Sequence, residues 1–159
     1  MNLPLKKLGV KDFLPYGCQT IEDDDIAAVS RAMIDPLITC GPKVDEFEIE
    51  LGKKIDSSYV TAVCNGTAAL HLAAYVSDIQ PGDQVIVPSL TFLSTANAVR
   101  FLGGEVIFCD VNEKTGLMDW PSYQNALRRV DPSRLKALFY VHLNGQVGSD
   151  FARIALDAH

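Results

Sequence analysis

The amino-acid sequence predicts an α/β fold, a mainly parallel sheet flanked by helices. The predicted strands are short, nearly continuous apolar runs, which is typical of strands buried on both faces. They alternate along the chain with segments of helical periodicity. Glycine and proline residues mark the junctions, and no internal repeat or low-complexity linker interrupts the order.

The first part of the chain predicts an extended arm over residues 1–19 and then two helices. Thr20 precedes an acidic turn and predicts the N-cap of a helix that ends before Pro36. A turn over residues 39–42 leads into a second amphipathic helix. The faces of these helices carry apolar residues at helical spacing: Ile26, Val29 and Met33 on the first, and Val44, Phe47 and Leu51 on the second.

The remaining sequence predicts four strands that alternate with helices, all within one partial domain over residues 20–159. The strands are expected at residues 59–63, 84–87, 105–111 and 136–143. The helices are expected at residues 67–76, 94–102, 121–130 and 150–158. A Pro-Gly-Asp turn at residues 81–83 starts the second strand, and Gly103-Gly104 stops the helix before the third.

Composition excludes several function classes. The net charge of −6 and the pI near 4.9 argue against nucleic acid or an anionic membrane as a partner. No apolar run approaches the roughly 18 residues that a membrane span needs, and the N-terminus lacks a signal-peptide core, so we expect a cytoplasmic protein. The four cysteines are far apart without a CxxC pair, so neither a metal site nor a disulfide framework is expected.

In open parallel sheets, ligands bind beyond the carboxyl ends of the strands. Gly66 and Thr67 follow the first predicted strand and begin a helix, where backbone amides and a hydroxyl are suited to a phosphate. The alternative is that Asn65-Gly66-Thr67 only forms the turn and caps the helix. The glycine spacing matches neither a dinucleotide fingerprint nor a P-loop.

Two further loops occupy equivalent positions. Phe92 follows the second strand, where an aromatic ring is able to stack on a planar ligand or to pack under a loop. His142 follows the fourth strand and is either a titrating or hydrogen-bonding group near a ligand or a structural residue. Asp110, at the end of the third strand, is interpreted as a turn anchor rather than a catalytic acid.

Taken in order, these segments resemble the DegT/DnrJ/StrS family of sugar aminotransferases, which have the aspartate-aminotransferase (type I) fold. The resemblance implies that the chain is the N-terminal portion of the large domain of that fold, truncated. The matching stretches are ITCGPKVDEFE at residues 38–48, VCNGTAALHL at 63–72, PGDQVIVPSLTF at 81–92, ANAV at 96–99, GGEVIFCDV at 103–111 and VHLNGQ at 141–146.

The resemblance implies pyridoxal 5′-phosphate (PLP) as the cofactor. Gly66 and Thr67 match the family's phosphate-binding turn, and Phe92 matches the aromatic residue that stacks on the pyridine ring. The turn with Thr39, Gly41 and Pro42 matches the segment that borders the substrate pocket near the subunit interface.

Residues 13–19 are most similar to transaminases that aminate C4 of a UDP-linked 4-keto-6-deoxy-N-acetylhexosamine in pseudaminic acid biosynthesis. The implied partners are therefore this UDP-linked keto sugar, glutamate as amino donor and, at full length, a second subunit in a homodimer.

The chain departs from the family pattern at its end. The pyridine-pairing aspartate and the Schiff-base lysine are expected beyond His159, so no catalytic residue is assigned within these 159 residues. Because that lysine moves the proton during amino transfer, we expect the isolated chain to be inactive. Apolar surface that the absent part would cover also predicts poor solubility.

The sequence is compatible with two alternatives. A sugar dehydratase of the same family carries histidine in place of the lysine, and that difference also lies beyond the chain. A non-catalytic protein that binds a phosphorylated ligand at Gly66 and Thr67 is the second. A nicotinamide or adenosylmethionine site is disfavoured, because the first strand lacks the required glycine spacing.

Overall fold

The computed structural model describes residue 17 and residues 19–158, so most of the predicted arm lies outside the described residues. The chain forms two compact units, one ending at Ala62 and the other beginning at Val63.

The first unit contains helix α1 (Asp23–Ala32) and helix α2 (Pro42–Ile55). The predicted cap of α1 is wrong: the N-cap is Glu22, not Thr20. The reason is the acidic run that follows, because the Asp25 carboxylate accepts a hydrogen bond from the Glu22 amide at 2.9 Å. An acidic residue at the third helical position thereby closes the first turn two residues later than a threonine cap would.

The predicted turn before α2 is confirmed, and its geometry explains its sequence. Cys40 has a φ of 50° and turns the chain, Gly41 is the N-cap, and Pro42 begins the helix. A Cβ atom on Gly41 would overlap the carbonyl oxygen of Leu37. The position therefore tolerates only glycine.

The predicted strand over residues 59–63 is wrong, since no strand is formed there. Strands require a ladder partner, and within the described residues this segment has none. The Ala62 amide instead donates to the Glu48 carboxylate of α2 at 2.7 Å. The apolar and β-branched residues of this segment have a high strand propensity, but propensity alone does not supply a pairing partner.

The second unit alternates helices and strands as predicted. The elements are α3 (Gly66–Val76), β1 (Gln84–Pro88), α4 (Ser94–Phe101), β2 (Glu105–Cys109), α5 (Trp120–Leu127), β3 (Leu135–Leu138) and α6 (Phe151–Asp157), with a 3₁₀ turn at Leu143–Gly145 before α6.

The strands form a parallel three-stranded sheet in the order β2-β1-β3, which confirms the predicted fold class. Residues of β1 pair with β2 from Gln84 opposite Glu105 to Pro88 opposite Cys109. Pairing of β1 with β3 contains one irregularity between Gln84 and Val85. Strand β1 is central and is buried along its whole length.

The side chains of β1 alternate between two cores, one on each face of the sheet. Val85 and Val87 pack in a cluster with residues of α3 and α4, whereas Ile86 packs in a second cluster with α5 and α6. Because both faces are covered by helices, β1 is an almost continuous run of apolar residues. Its polar residue, Gln84, is hydrogen-bonded to Glu105 and Asp131.

Strand β3 is shorter than the predicted strand at residues 136–143. The last bond to β1 is donated by the Phe139 amide to the Ile86 carbonyl at 2.9 Å. Beyond it the chain turns, with positive φ at Asn144 and Gly145. Apolar residues after Leu138 therefore pack in a loop rather than extend the ladder.

No helix within residues 19–158 is long and apolar enough to cross a membrane.

Candidate functional site

Chain connectivity places the starts of α3 and α4 at the same edge of the sheet. Helix α4 joins parallel strands β1 and β2, so it begins beside the carboxyl end of β1. The loops that follow α3 and α4 meet at the opposite edge, where the Gly82 amide donates to the Gly103 carbonyl at 3.3 Å. The two helices also pack against each other, so α3 begins at the carboxyl edge, where ligands bind in such sheets.

The start of α3 presents unpaired hydrogen-bond donors. Asn65 is the N-cap, and its side-chain oxygen accepts from the Ala68 amide at 2.9 Å. Within the described residues, the amides of Gly66 and Thr67 and the Thr67 hydroxyl have no hydrogen-bond partner. Gly66 is exposed, and a Cβ atom there would meet no atom within 4 Å. The helix end is therefore open to an anion.

The start of α5 provides a contrast within the same unit. Its N-cap is Asp119, whose carboxylate accepts from the Ser122 amide at 3.0 Å. The amide of Trp120 is occupied by the Asp150 carboxylate at 2.9 Å. At the start of α5, two carboxylates therefore occupy the backbone donors and repel an anion. At the start of α3, the asparagine cap is neutral and the donors are free.

Phe92 lies in the loop between β1 and α4 and is 75% exposed. Its carbonyl accepts from the Thr95 amide at 3.0 Å, and the hydroxyls of Thr91 and Thr95 lie 3.0 Å apart. These bonds fix the backbone on which the ring is carried, while the ring itself remains free to contact a ligand. No described hydrogen bond joins Phe92 to Gly66 or Thr67; the shared sheet edge is what relates them.

Thr39, Gly41 and Pro42 lie in the first unit, in the turn before α2. Thr39 and Pro42 are exposed and Gly41 is buried. The turn is thus well formed, and its exposed residues are accessible within that unit.

Asp110 has the local role that the sequence predicts, because its carboxylate accepts from the following Val111 amide at 2.8 Å. His142 is exposed, and its ring contacts those of Tyr140 and Phe151. This aromatic group was not predicted from the sequence, although alternation of Tyr140 and His142 at the end of an apolar run was a usable signal.

Neither the Cys109 thiol nor a metal-binding cluster provides an alternative centre within the described residues. Burial raises the pKa of the Cys109 thiol to about 12, which leaves it protonated and unreactive. No group of three or more metal-ligating side chains occurs within the described part of the chain. The donor-rich start of α3 suits an anionic group, and the exposed Phe92 suits a planar ring.

Comparison with known proteins places these features in context. The profile of the DegT/DnrJ/EryC1/StrS aminotransferase family matches residues 19–158. The spore coat polysaccharide biosynthesis protein SpsC of Bacillus subtilis is 38% identical over 134 residues, which cover 84% of this chain and 33% of SpsC.

Solved structures agree. One such structure is the sugar aminotransferase homologue Spr1654 of Streptococcus pneumoniae, known in PLP and PMP forms. Its PLP form superposes with a TM-score of 0.79 at 26% identity. The match covers 91% of this chain and 36% of Spr1654. A DegT/DnrJ/EryC1/StrS aminotransferase of Brucella abortus superposes with a TM-score of 0.71 at 33% identity over 84% of this chain and 37% of that protein. The chain thus spans about a third of the length of these relatives.

Proposed function

The chain belongs to the DegT/DnrJ/EryC1/StrS aminotransferase family, and from this membership we propose that it supplies the PLP-binding edge of a sugar aminotransferase. The family and its structural neighbours are PLP-dependent aminotransferases. The single observation that carries the proposal is the open, donor-rich start of α3 beside the carboxyl end of β1.

The residues at this edge fit the phosphate group of PLP. Two free amides and a hydroxyl, at Gly66 and Thr67, are the donors that a phosphate accepts, and the helix dipole favours its charge. The space beside the Gly66 Cα is empty, so a phosphate is able to approach the backbone closely.

Phe92 fits the ring of the cofactor. An exposed phenyl group on a hydrogen-bonded loop provides a flat apolar surface, and its burial under a planar ligand is favourable. When bound, the cofactor supplies an electron sink for amino transfer, while Gly66, Thr67 and Phe92 hold and orient it.

No residue of this chain is proposed to move the proton in the reaction. The resemblance assigns that role to a lysine, and none of the chain's lysines stands at a matching position. We therefore expect the 159-residue chain to bind the cofactor without catalysing amino transfer.

For the complete enzyme we propose amino transfer from glutamate to C4 of a UDP-linked 4-keto-6-deoxy sugar, in a homodimer. Thr39, Gly41 and Pro42 are proposed to border the sugar. Two observations support this: the similarity of residues 13–19 to transaminases of the pseudaminic acid type, and the role of SpsC in polysaccharide biosynthesis.

Binding of pyridoxamine 5′-phosphate by the purified chain tests the cofactor site, since this form does not react with lysine side chains. Calorimetry should show binding of pyridoxamine 5′-phosphate and no binding of pyridoxamine, which lacks the phosphate. Gly66→Ala should weaken it about tenfold, because the methyl group enters the space for the phosphate, without lowering stability.

Equal affinity for pyridoxamine and its phosphate, or full binding by Gly66→Ala, would show that α3 does not hold the phosphate. Ser122→Ala, at the start of α5, is the matched control and should bind like the unaltered chain.

A further inference from the structure

His142 lies in an aromatic group at the carboxyl end of β3. Its ring centroid is 5.1 Å from that of Tyr140 and 4.8 Å from that of Phe151, and the latter two rings are 5.0 Å apart. Since each ring contacts the other two, the imidazole is held in one orientation rather than free to rotate.

Hydrogen bonds and close packing fix the residues around this aromatic group. The Tyr140 hydroxyl donates to the Met118 carbonyl at 3.1 Å, and a Cβ atom on Gly148 would overlap that hydroxyl. The Gly145 amide donates to the His142 carbonyl at 2.9 Å, which closes the turn after the histidine. The ring is therefore anchored through its neighbours on both sides of the chain.

The hydrogen bond of the ring determines which nitrogen carries the proton. Nδ1 of His142 lies 3.2 Å from the carbonyl oxygen of Gln146. A carbonyl oxygen only accepts, so Nδ1 donates and carries the hydrogen. In the neutral ring Nε2 then has a lone pair and is an acceptor.

This acceptor is available to a ligand at the carboxyl edge. β3 lies next to β1 in the parallel sheet, so His142 follows β3 at the same edge where Phe92 follows β1. His142 is exposed, and Nε2 has no hydrogen-bond partner within the described residues. The edge thus combines donors at Gly66 and Thr67 with one oriented acceptor.

We propose that Nε2 of His142 accepts a hydrogen bond from a hydroxyl group of the sugar substrate. This rests on the proposed function, because it names a sugar-binding residue at the same edge. The lone pair on Nε2 disfavours an anionic phosphate and suits a neutral hydroxyl donor. The donors at Gly66 and Thr67 therefore select the phosphate of the cofactor, whereas His142 selects a hydroxyl group of the sugar.

The tautomer is measured by nitrogen-15 NMR of the histidine side chains. For the neutral imidazole of His142 we expect the hydrogen on Nδ1 and the lone pair on Nε2, with the signal assigned by its loss in His142→Asn. The opposite tautomer would overturn the proposal. His71, on α3 with its ring against Phe101, is the comparison histidine, since no described hydrogen bond fixes its tautomer.

Sugar binding is tested with UDP-N-acetylglucosamine as the probe, on the purified chain. His142→Asn retains a donor for the Gln146 carbonyl but removes the acceptor at Nε2, so binding should weaken about fivefold to tenfold. His142→Gln places an amide oxygen near the Nε2 position and should restore part of the affinity. Absence of binding, or equal binding by all three proteins, would refute the assignment.

The two proposals fail separately. Loss of pyridoxamine 5′-phosphate binding refutes the phosphate site at Gly66 and Thr67. Retained cofactor binding with sugar binding that does not respond at His142 refutes only the histidine's role. Circular dichroism of each variant confirms that the fold is unchanged.

Discussion

At the scale of single residues, the neutral cap of α3 is the feature on which phosphate binding depends. Asn65 satisfies the Ala68 amide without bringing a negative charge to the free amides of Gly66 and Thr67. At α5 the same position is Asp119, and a second carboxylate, of Asp150, occupies the next amide. Both residues cap a helix, but only one leaves the helix end suited to an anion.

Substitution of Asn65 should therefore separate stability from binding. Asn65→Asp keeps a cap and should leave the free energy of unfolding unchanged or raised, while its charge weakens binding of pyridoxamine 5′-phosphate at least tenfold. Asn65→Ala should instead cost about 1 kcal/mol of stability. Chemical unfolding and calorimetry provide the two measurements. Undiminished binding by Asn65→Asp would argue that the phosphate lies elsewhere.

At the scale of elements, the junction between α4 and β2 depends on close approach. A Cβ atom on Gly104 would lie 2.8 Å from a methyl carbon of Val99 and 3.0 Å from one of Ile79, both core residues. Gly104→Ala should therefore lower the free energy of unfolding by about 1–3 kcal/mol through overpacking. Urea unfolding measures this, with Gly66→Ala, which meets open space, as the control. Equal stability of the two variants would contradict this close approach of Gly104 to Val99 and Ile79.

The start of α5 should make stability depend on acid pH. Burial alone would raise the pKa of Asp119, but hydrogen bonds from Ser122 and Asn112 outweigh it, and the net pKa lies below 3.8. Because the folded pKa is the lower one, this stabilisation is present above about pH 4 and is lost as the pH falls through the folded value.

Asp119→Asn keeps the cap but does not titrate. The stability difference between the unaltered chain and this variant should accordingly shrink as the pH is lowered from about 6 to about 3, by at most about 1 kcal/mol. Unfolding curves at several pH values measure it. A difference that stays constant with pH would show that the Asp119 carboxylate contributes nothing as a charge.

Sequence periodicity predicts some elements of this fold and not others. The buried strand β1 and the helices around it follow from local sequence, because Val85, Ile86 and Val87 fill cores on both faces. The run at residues 59–63 is also rich in apolar and β-branched residues yet forms no strand, since pairing depends on a partner that local sequence does not report. The predicted N-cap of α1 is wrong for a related reason: the Asp25 carboxylate accepts from the Glu22 amide, a contact that places the cap at Glu22 rather than at Thr20.

At the scale of the whole molecule, apolar side chains remain exposed in both units. Val29 of α1 is 61% exposed and Met33, which follows α1, is 67% exposed. Phe47 of α2 is 55% exposed, and Phe101 of α4 is 59% exposed. Exposed apolar area of this kind promotes association. The chain should therefore self-associate at micromolar concentration, and Phe47→Glu should reduce this more than the exposed Gln124→Glu, which changes the charge equally.

Size-exclusion chromatography with light scattering measures this association. A monomer at all concentrations, with one sharp unfolding transition, would contradict it.

The candidate site was predictable in part. Glycine and threonine at a strand-to-helix junction indicated Gly66 and Thr67, and an aromatic residue after a strand indicated Phe92, because the edge of a parallel sheet is fixed by topology. The orientation of His142 was not predictable, since it depends on Tyr140, Phe151 and the Gln146 carbonyl, which meet only in the folded loop.

An amide NMR titration of the chain with pyridoxamine 5′-phosphate tests the phosphate site at the start of α3 most directly. We expect the Gly66 and Thr67 resonances to shift most, pyridoxamine to leave them unmoved, and Trp120 and Ser122 at the start of α5 not to respond. Shifts centred on α5, or shifts equal for both ligands, would contradict it.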